Sequence, residues 1–141
     1  MKKNIKPIMF LALASLSTMA FSGDIQSPSP EGAKAYIISP ADGATVGTKV
    51  KVVFGLQGMG VSPAGVDKKS TGHHHLIIDG DKLPALDKPM GGDVKHFGGG
   101  QTETTIELSP GQHTLQLILG DHRHVPHKPA IISEKITITV K

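Results

Sequence analysis

Hydrophobic and polar residues alternate in short runs along most of this chain. Lys49 to Phe54 sets Val50, Val52 and Phe54 against Lys49 and Lys51. Thr104, Ile106 and Leu108 alternate with Thr105 and Glu107. Leu115, Leu117 and Leu119 alternate with Thr114 and Gln116, and Ile136, Ile138 and Val140 with Lys135, Thr137 and Thr139. Successive strand side chains point to opposite faces, so a period of two predicts strands with one buried face. Ala33–Ser39 and His73–Asp79 predict two further strands. Pro40-Ala41-Asp42-Gly43 and Ser109-Pro110-Gly111 supply turn chemistry between such runs.

Beyond residue 22 no long stretch carries a helical period, and Gly and Pro recur too often for helices of ordinary length. The pattern predicts an all-β chain, an immunoglobulin-like antiparallel β-sandwich over residues 33–141. Two longer segments, Gln57–Gly72 and Gly80–Glu103, interrupt it. Loops of that length in a compact domain are usually functional or mobile.

The first residues follow a different logic. Lys2, Lys3 and Lys6 precede an apolar stretch, Ile8–Phe21, with small residues around Ala20 and Ser22. This is the pattern of a secretory signal peptide over residues 1–22, cleaved after Ala20 or Ser22. It predicts a periplasmic or secreted protein. Without cysteine there is no lipoprotein anchor. No other segment approaches the roughly 20 apolar residues of a membrane span. Residues 23–32, with Ser27-Pro28-Ser29-Pro30, read as a flexible leader.

Export changes the charge argument. The formal net charge is +3, and the three lysines of the leading segment account for it. The remainder is balanced, with no basic run longer than Lys68-Lys69 and few aromatic residues. Nucleic-acid binding therefore has no electrostatic footprint here.

The candidate chemistry lies in the histidines. The chain has 8 of them and no cysteine. Six fall in two clusters, His73-His74-His75 and His122, His124 and His127. Packing alone gives no reason to gather imidazoles, whereas imidazole is the commonest metal ligand. In an immunoglobulin-like sandwich the third and sixth strands pair antiparallel. If these are His73–Asp79 and His113–Leu119, the first cluster lies beside Asp121–His127, and His113 falls at the opposite end. His73 and His75 then share a face, roughly 6.5 Å apart at Cα, while His74 points away. His122 and His124 would form a second pair if their backbone is extended. His96 joins only if Gly80–Glu103 folds back. Met59 and Met90 are possible thioether ligands, or flexible packing residues. Asp121 could orient an imidazole or serve as a turn residue. The bland alternative for the histidines is hydrogen bonding to loop backbone or a pH-responsive network.

Catalytic motifs are lacking: there is no Gly-x-Ser-x-Gly elbow and no His-Glu-x-x-His. The glycines at 98–100 lack the Gly-Lys-Ser/Thr ending of a phosphate loop.

Four segments carry a family resemblance. Ile38–Ala44, Thr71–Asp79, His96–Glu103 and Leu117–Asp121 together resemble a family of short exported bacterial proteins, domain of unknown function 4399. The resemblance spans nearly all the chain beyond residue 22. It implies a periplasmic domain, supplies no activity, and adds His96 and Gln101 to the candidate residues.

These readings converge on a non-enzymatic periplasmic protein that binds a metal ion, copper ahead of zinc, and buffers or delivers it. The expected ligands are His73, His75, His122 and His124, with His127 and His96 as further candidates. Another periplasmic protein could be its partner. The alternative is an envelope interaction module whose histidines are structural or pH-sensing.

Overall fold

A computed structural model describes residues 23–141. The expected signal peptide lies outside the described residues. The strands are β1 Lys34–Ser39, β2 Thr45–Val46, β3 Lys49–Gln57, β4 Gly60–Val61, β5 Thr71–Ile78, β6 Lys95–His96, β7 Glu103–Glu107, β8 Gly111–Gly120 and β9 Ile136–Val140. They form two sheets. One has the order β1-β3-β7, and the other runs β2-β9-β8-β5-β4, with β6 paired to β5.

The alternating runs determine how the sheets meet. Val50, Val52 and Phe54 of β3 and Ile106 of β7 are buried against Leu115, Leu117 and Leu119 of β8 and Ile136, Ile138 and Val140 of β9. Each such side chain contributes about 1.5–3 kcal/mol when removed from water. The result is the expected all-β sandwich. It departs from a purely antiparallel arrangement at its margins, where β2 pairs parallel with β9 and β4 parallel with β5. The chain leaves β1 through the Pro40–Gly43 turn and crosses to the second sheet. That turn is docked on β9 by Asp42 Oδ1, which accepts from the Thr137 amide at 2.8 Å.

Strand β5 is paired on one side with β8, in the register His73↔Gly120, His75↔Ile118 and Ile77↔Gln116. It is buried on both faces, which explains its unbroken run of low exposure. His74 and Leu76 belong to the face between the sheets, where His74 lies 5.1 Å from Phe54 between ring centroids. His73, His75 and Ile77 occupy the outer face. There Ile77 packs with Ile118 and Val94, and Met90 and Ile132 border them. The long loop between β5 and β7 therefore folds back over the outer face of the sheet.

The segment expected to be a flexible leader makes regular contacts with the loop after β8. Ser29 and Lys128 exchange backbone hydrogen bonds with Lys128 and Ser27 respectively, and Ser27 Oγ donates to Asp121 Oδ2 at 2.7 Å. Gln26 Nε2 donates to the carbonyl of Leu86 at 2.6 Å. Pro28 and Pro30 remove donors there, but the remaining amides and side chains supply enough bonds to hold the segment as a strap.

Candidate metal centre

Three stretches of backbone bring four imidazoles together on the outer face of the larger sheet. Strand β5 supplies His73 and His75, two residues apart and therefore on one side. Strand β6 supplies His96, directly opposite His75 in the antiparallel pair. The loop after β8 supplies His124. Each of the four offers a ring nitrogen, and these donor atoms all lie within 4.8 Å of one another. His73 Nε2 and His124 Nδ1 are 3.0 Å apart.

The local backbone is shaped to allow this convergence. Asp121, almost fully buried, organises the loop. Its Oδ1 accepts from the Arg123 amide at 2.8 Å and the Val125 amide at 3.1 Å. A turn closes from the His124 amide to the Asp121 carbonyl, and His124 takes a positive φ of 66°. Asp121 is thus a turn residue, with Ser27 and Arg123 on its second oxygen. Burial alone would raise its carboxyl pKa. Hydrogen bonds from Ser27 and from the Arg123 and Val125 amides outweigh this and hold it below the ordinary value.

Gly120 provides the floor. It faces His73 across the β5–β8 ladder. A Cβ there would lie 2.6 Å from His75 Cε1 and 3.0 Å from the Met90 methyl. The glycine is required by this close approach. The sequence signal is a glycine directly after the apolar run Leu117-Ile118-Leu119 at the end of a strand, which marks such approaches. Gly120→Ala is expected to push the His75 ring aside, cost about 1–3 kcal/mol as an overpacked substitution, and weaken metal binding. Thermal melting and a metal titration of the variant check both effects. Gly98 plays a similar part below His96, whose Cε1 would be 2.2 Å from an added Cβ.

The electrostatics suit a cation that binds without competing protons. Burial pushes the His73 pKa down to about 4, reinforced by His124 and His96. Burial likewise pushes His75 down to about 3, with the neighbouring imidazoles adding to it. His96 is also lowered, by burial and then by His124. The rings are thus held neutral, the form in which they bind metal. Among the described residues, His73 Nδ1 and His75 Nδ1 are buried with no hydrogen-bond partner.

Four imidazole nitrogens at Zn–N distances of roughly 2.0–2.1 Å would be about 3.3 Å apart in a tetrahedron. One donor pair already stands at 3.0 Å and the rest lie within 4.8 Å, so ring rotations that draw the wider pairs inward would bring the set to that spacing or around a tetragonal Cu(II). The residues therefore fit a single transition-metal ion. The open side of the site is lined by Met90, Gly91, Gly92 and Val94.

The remaining candidates lie elsewhere. The turn at 121–124 breaks the extended geometry that would have paired His122 with His124. His122 Nδ1 instead lies 3.5 Å from Asp67 Oδ1. His127 is buried beside Gly72, with Nε2 3.1 Å from the Thr71 carbonyl. Gln101 closes its own loop, accepting from the Gly99 amide at 2.9 Å. Met59 packs against the main core. His113 binds Asp79 at 2.7 Å, at the opposite end of β8. His74, between the sheets, has neither ring nitrogen hydrogen-bonded.

Among the described residues no helix is long and apolar enough to cross a membrane. The family described as Domain of unknown function (DUF4399) matches residues 52–141, and the chain belongs to that family. The chain matches no curated protein and no solved structure. The matched region contains every member of the imidazole cluster.

Proposed function

For this member of a family without an assigned activity, we propose a single-ion metal-binding role in the periplasm, in which the protein buffers or delivers the ion. The observation that carries the reading is the convergence of His73, His75, His96 and His124, with all four donors within 4.8 Å. The preference is for copper over zinc. Nitrogen-only sites bind Cu(II) more tightly than Zn(II) across the divalent series, and tetragonal nitrogen sets suit Cu(II). Structural zinc sites usually recruit thiolates, and this chain has no cysteine. The role is binding and release, with no bond made or broken. Its export rests on the leading segment.

The test is titration of residues 23–141 with Cu(II), Cu(I) and Zn(II) against competing chelators, with elemental analysis of the product. One equivalent held at about nanomolar affinity or tighter is expected, a strength that corresponds to about 12 kcal/mol. His96→Ala should weaken binding, and His122→Ala should leave it unchanged. Binding of several equivalents at micromolar strength would mean adventitious surface histidines and would overturn the reading.

A second reading, an envelope interaction module, draws on Tyr36 and Ile38, which β1 leaves exposed. A captured partner whose binding survives chelator would favour it.

A further inference from the structure

The imidazole cluster has a neighbour of different chemistry. Met90 lines the open side of the site together with His75, His96 and His124. Its amide donates to the His124 carbonyl at 3.0 Å, which ties the methionine to the backbone of one of the four histidines. Its methyl carbon and His75 Nδ1 lie 3.0 and 3.1 Å from one point, the position of a Cβ on Gly120. That nitrogen is buried without a hydrogen-bond partner. The thioether therefore stands at the boundary between the four imidazoles and the small apolar cluster of Ile77, Val94 and Ile118.

We propose that Met90 is a further ligand of the site, a thioether that joins part of the imidazole set when the ion is Cu(I) and so selects for it. This deepens the metal-binding reading and rests on it. Sulfur of this kind is a soft donor. It adds affinity for Cu(I) and little for Zn(II) or other harder ions. Met90 borders the apolar cluster of Ile77, Val94 and Ile118, but it also lines the mouth of the imidazole cluster, and Met59 shows the contrast. It packs against the main core, away from the four histidines. Gly91 and Gly92 follow Met90 directly, giving its backbone the freedom to bring sulfur onto the ion and to withdraw it.

The absence of cysteine makes the proposal sharply testable. Any sulfur bound to copper in residues 23–141 must come from Met59 or Met90, the two methionines in that range. X-ray absorption of the Cu(I)-loaded protein is expected to show nitrogen ligands and one sulfur. Met90→Leu, which keeps volume and apolar character, should lose the sulfur signal. Its Cu(I) affinity should fall by about tenfold or more, while Zn(II) affinity stays within about twofold. Met59→Leu should retain the signal. Stoichiometric copper with a nitrogen-only spectrum, or equal Cu(I) affinity in Met90→Leu and the parent, would overturn the role of Met90 and leave the metal site standing. Failure of the parent to hold one equivalent of any of these ions would remove both. The spectrum of the unmodified protein decides the matter even if the leucine variant does not fold.

Discussion

Acidification from pH 7 to pH 4 is expected to strip the metal-free protein of most of its stability. Three consecutive histidines of β5 are fully or almost fully buried. Burial pushes His73 and His74 down to about 4 and His75 to about 3, from an ordinary 6.5. Above pH 6.5 all three are neutral in the folded and the unfolded chain, and they contribute no pH dependence. Below it the unfolded chain takes up protons that the folded chain refuses, so stability falls as pH falls. The loss accumulates from about 6.5 to about 4 for His73 and His74, and to about 3 for His75. Each pH unit between two such pKa values is worth about 1.4 kcal/mol. Three histidines together thus reach the scale of a whole domain's stability, about 5–15 kcal/mol. His113 works in the opposite sense, since its bond to Asp79 raises its pKa. That pair sits at an exposed end of the strand and its effect is small.

Melting temperature measured by circular dichroism between pH 7.5 and 4 tests this expectation. A fall of more than about 10 °C corresponds to roughly 3 kcal/mol for a domain of this size. A melting temperature constant over the range would show that the three imidazoles reach water in the native state. His74→Leu separates fold from site. It removes two ring nitrogens without partners from the core, and unsatisfied buried groups cost about 1–3 kcal/mol. The variant should be at least as stable as the parent at pH 7 and clearly more stable at pH 4.5, with metal affinity unchanged.

The second large effect concerns the ligands themselves. His73→Ala/His75→Ala removes the two donors fixed on the rigid strand. The remaining pair, His96 and His124, lie on a two-residue strand and in a loop. Affinity for the first equivalent of copper is expected to fall at least about a hundredfold, because rigid ligands hold a metal more tightly than mobile ones. The β-sheet spectrum should persist, since both side chains lie outside the space between the sheets. The same variant should tolerate acid better, as two of the three depressed histidines are gone. Equal metal affinity in variant and parent would remove His73 and His75 from the site.

The strands were legible because their period was clean. Val50, Val52 and Phe54, and likewise Leu115, Leu117 and Leu119, face the space between the sheets as their alternation requires. The approach of β5 to the end of β8 followed from the sandwich arrangement, and it placed the histidine run near Asp121–His127. Selection within that loop was not legible. His122 and His124 are equivalent on an extended chain, and only the Asp121-centred turn sends one toward His73 and the other toward Asp67. Turn geometry of that kind depends on which amides a carboxylate meets, and periodicity carries no trace of it. His96 required the fold-back of a long loop, a tertiary event fixed by Phe97 packing between the sheets and Val94 packing on the outer face. The strap was hidden for a related reason. Its Ser and Pro content reads as unstructured in isolation, and its partners lie about a hundred residues away.

If the leading segment is cleaved as the sequence predicts, that strap makes the position of the new amino terminus consequential. Its contacts begin at Asp24, with a bond from Lys128, and continue through Gln26 and Ser27. Signal removal after Ala20 or Ser22 would spare all of them. A chain trimmed to Ala33 would retain all nine strands but lose Ser27 from Asp121 and the Ile25 carbonyl from Arg123. His124 would then sit in a loop held by fewer bonds, those from the Arg123 and Val125 amides to Asp121 and from the Met90 amide to the His124 carbonyl. Recombinant versions that start at the first strand, or fuse a tag close to Asp24, should therefore look well folded yet give a weaker metal titration than residues 23–141.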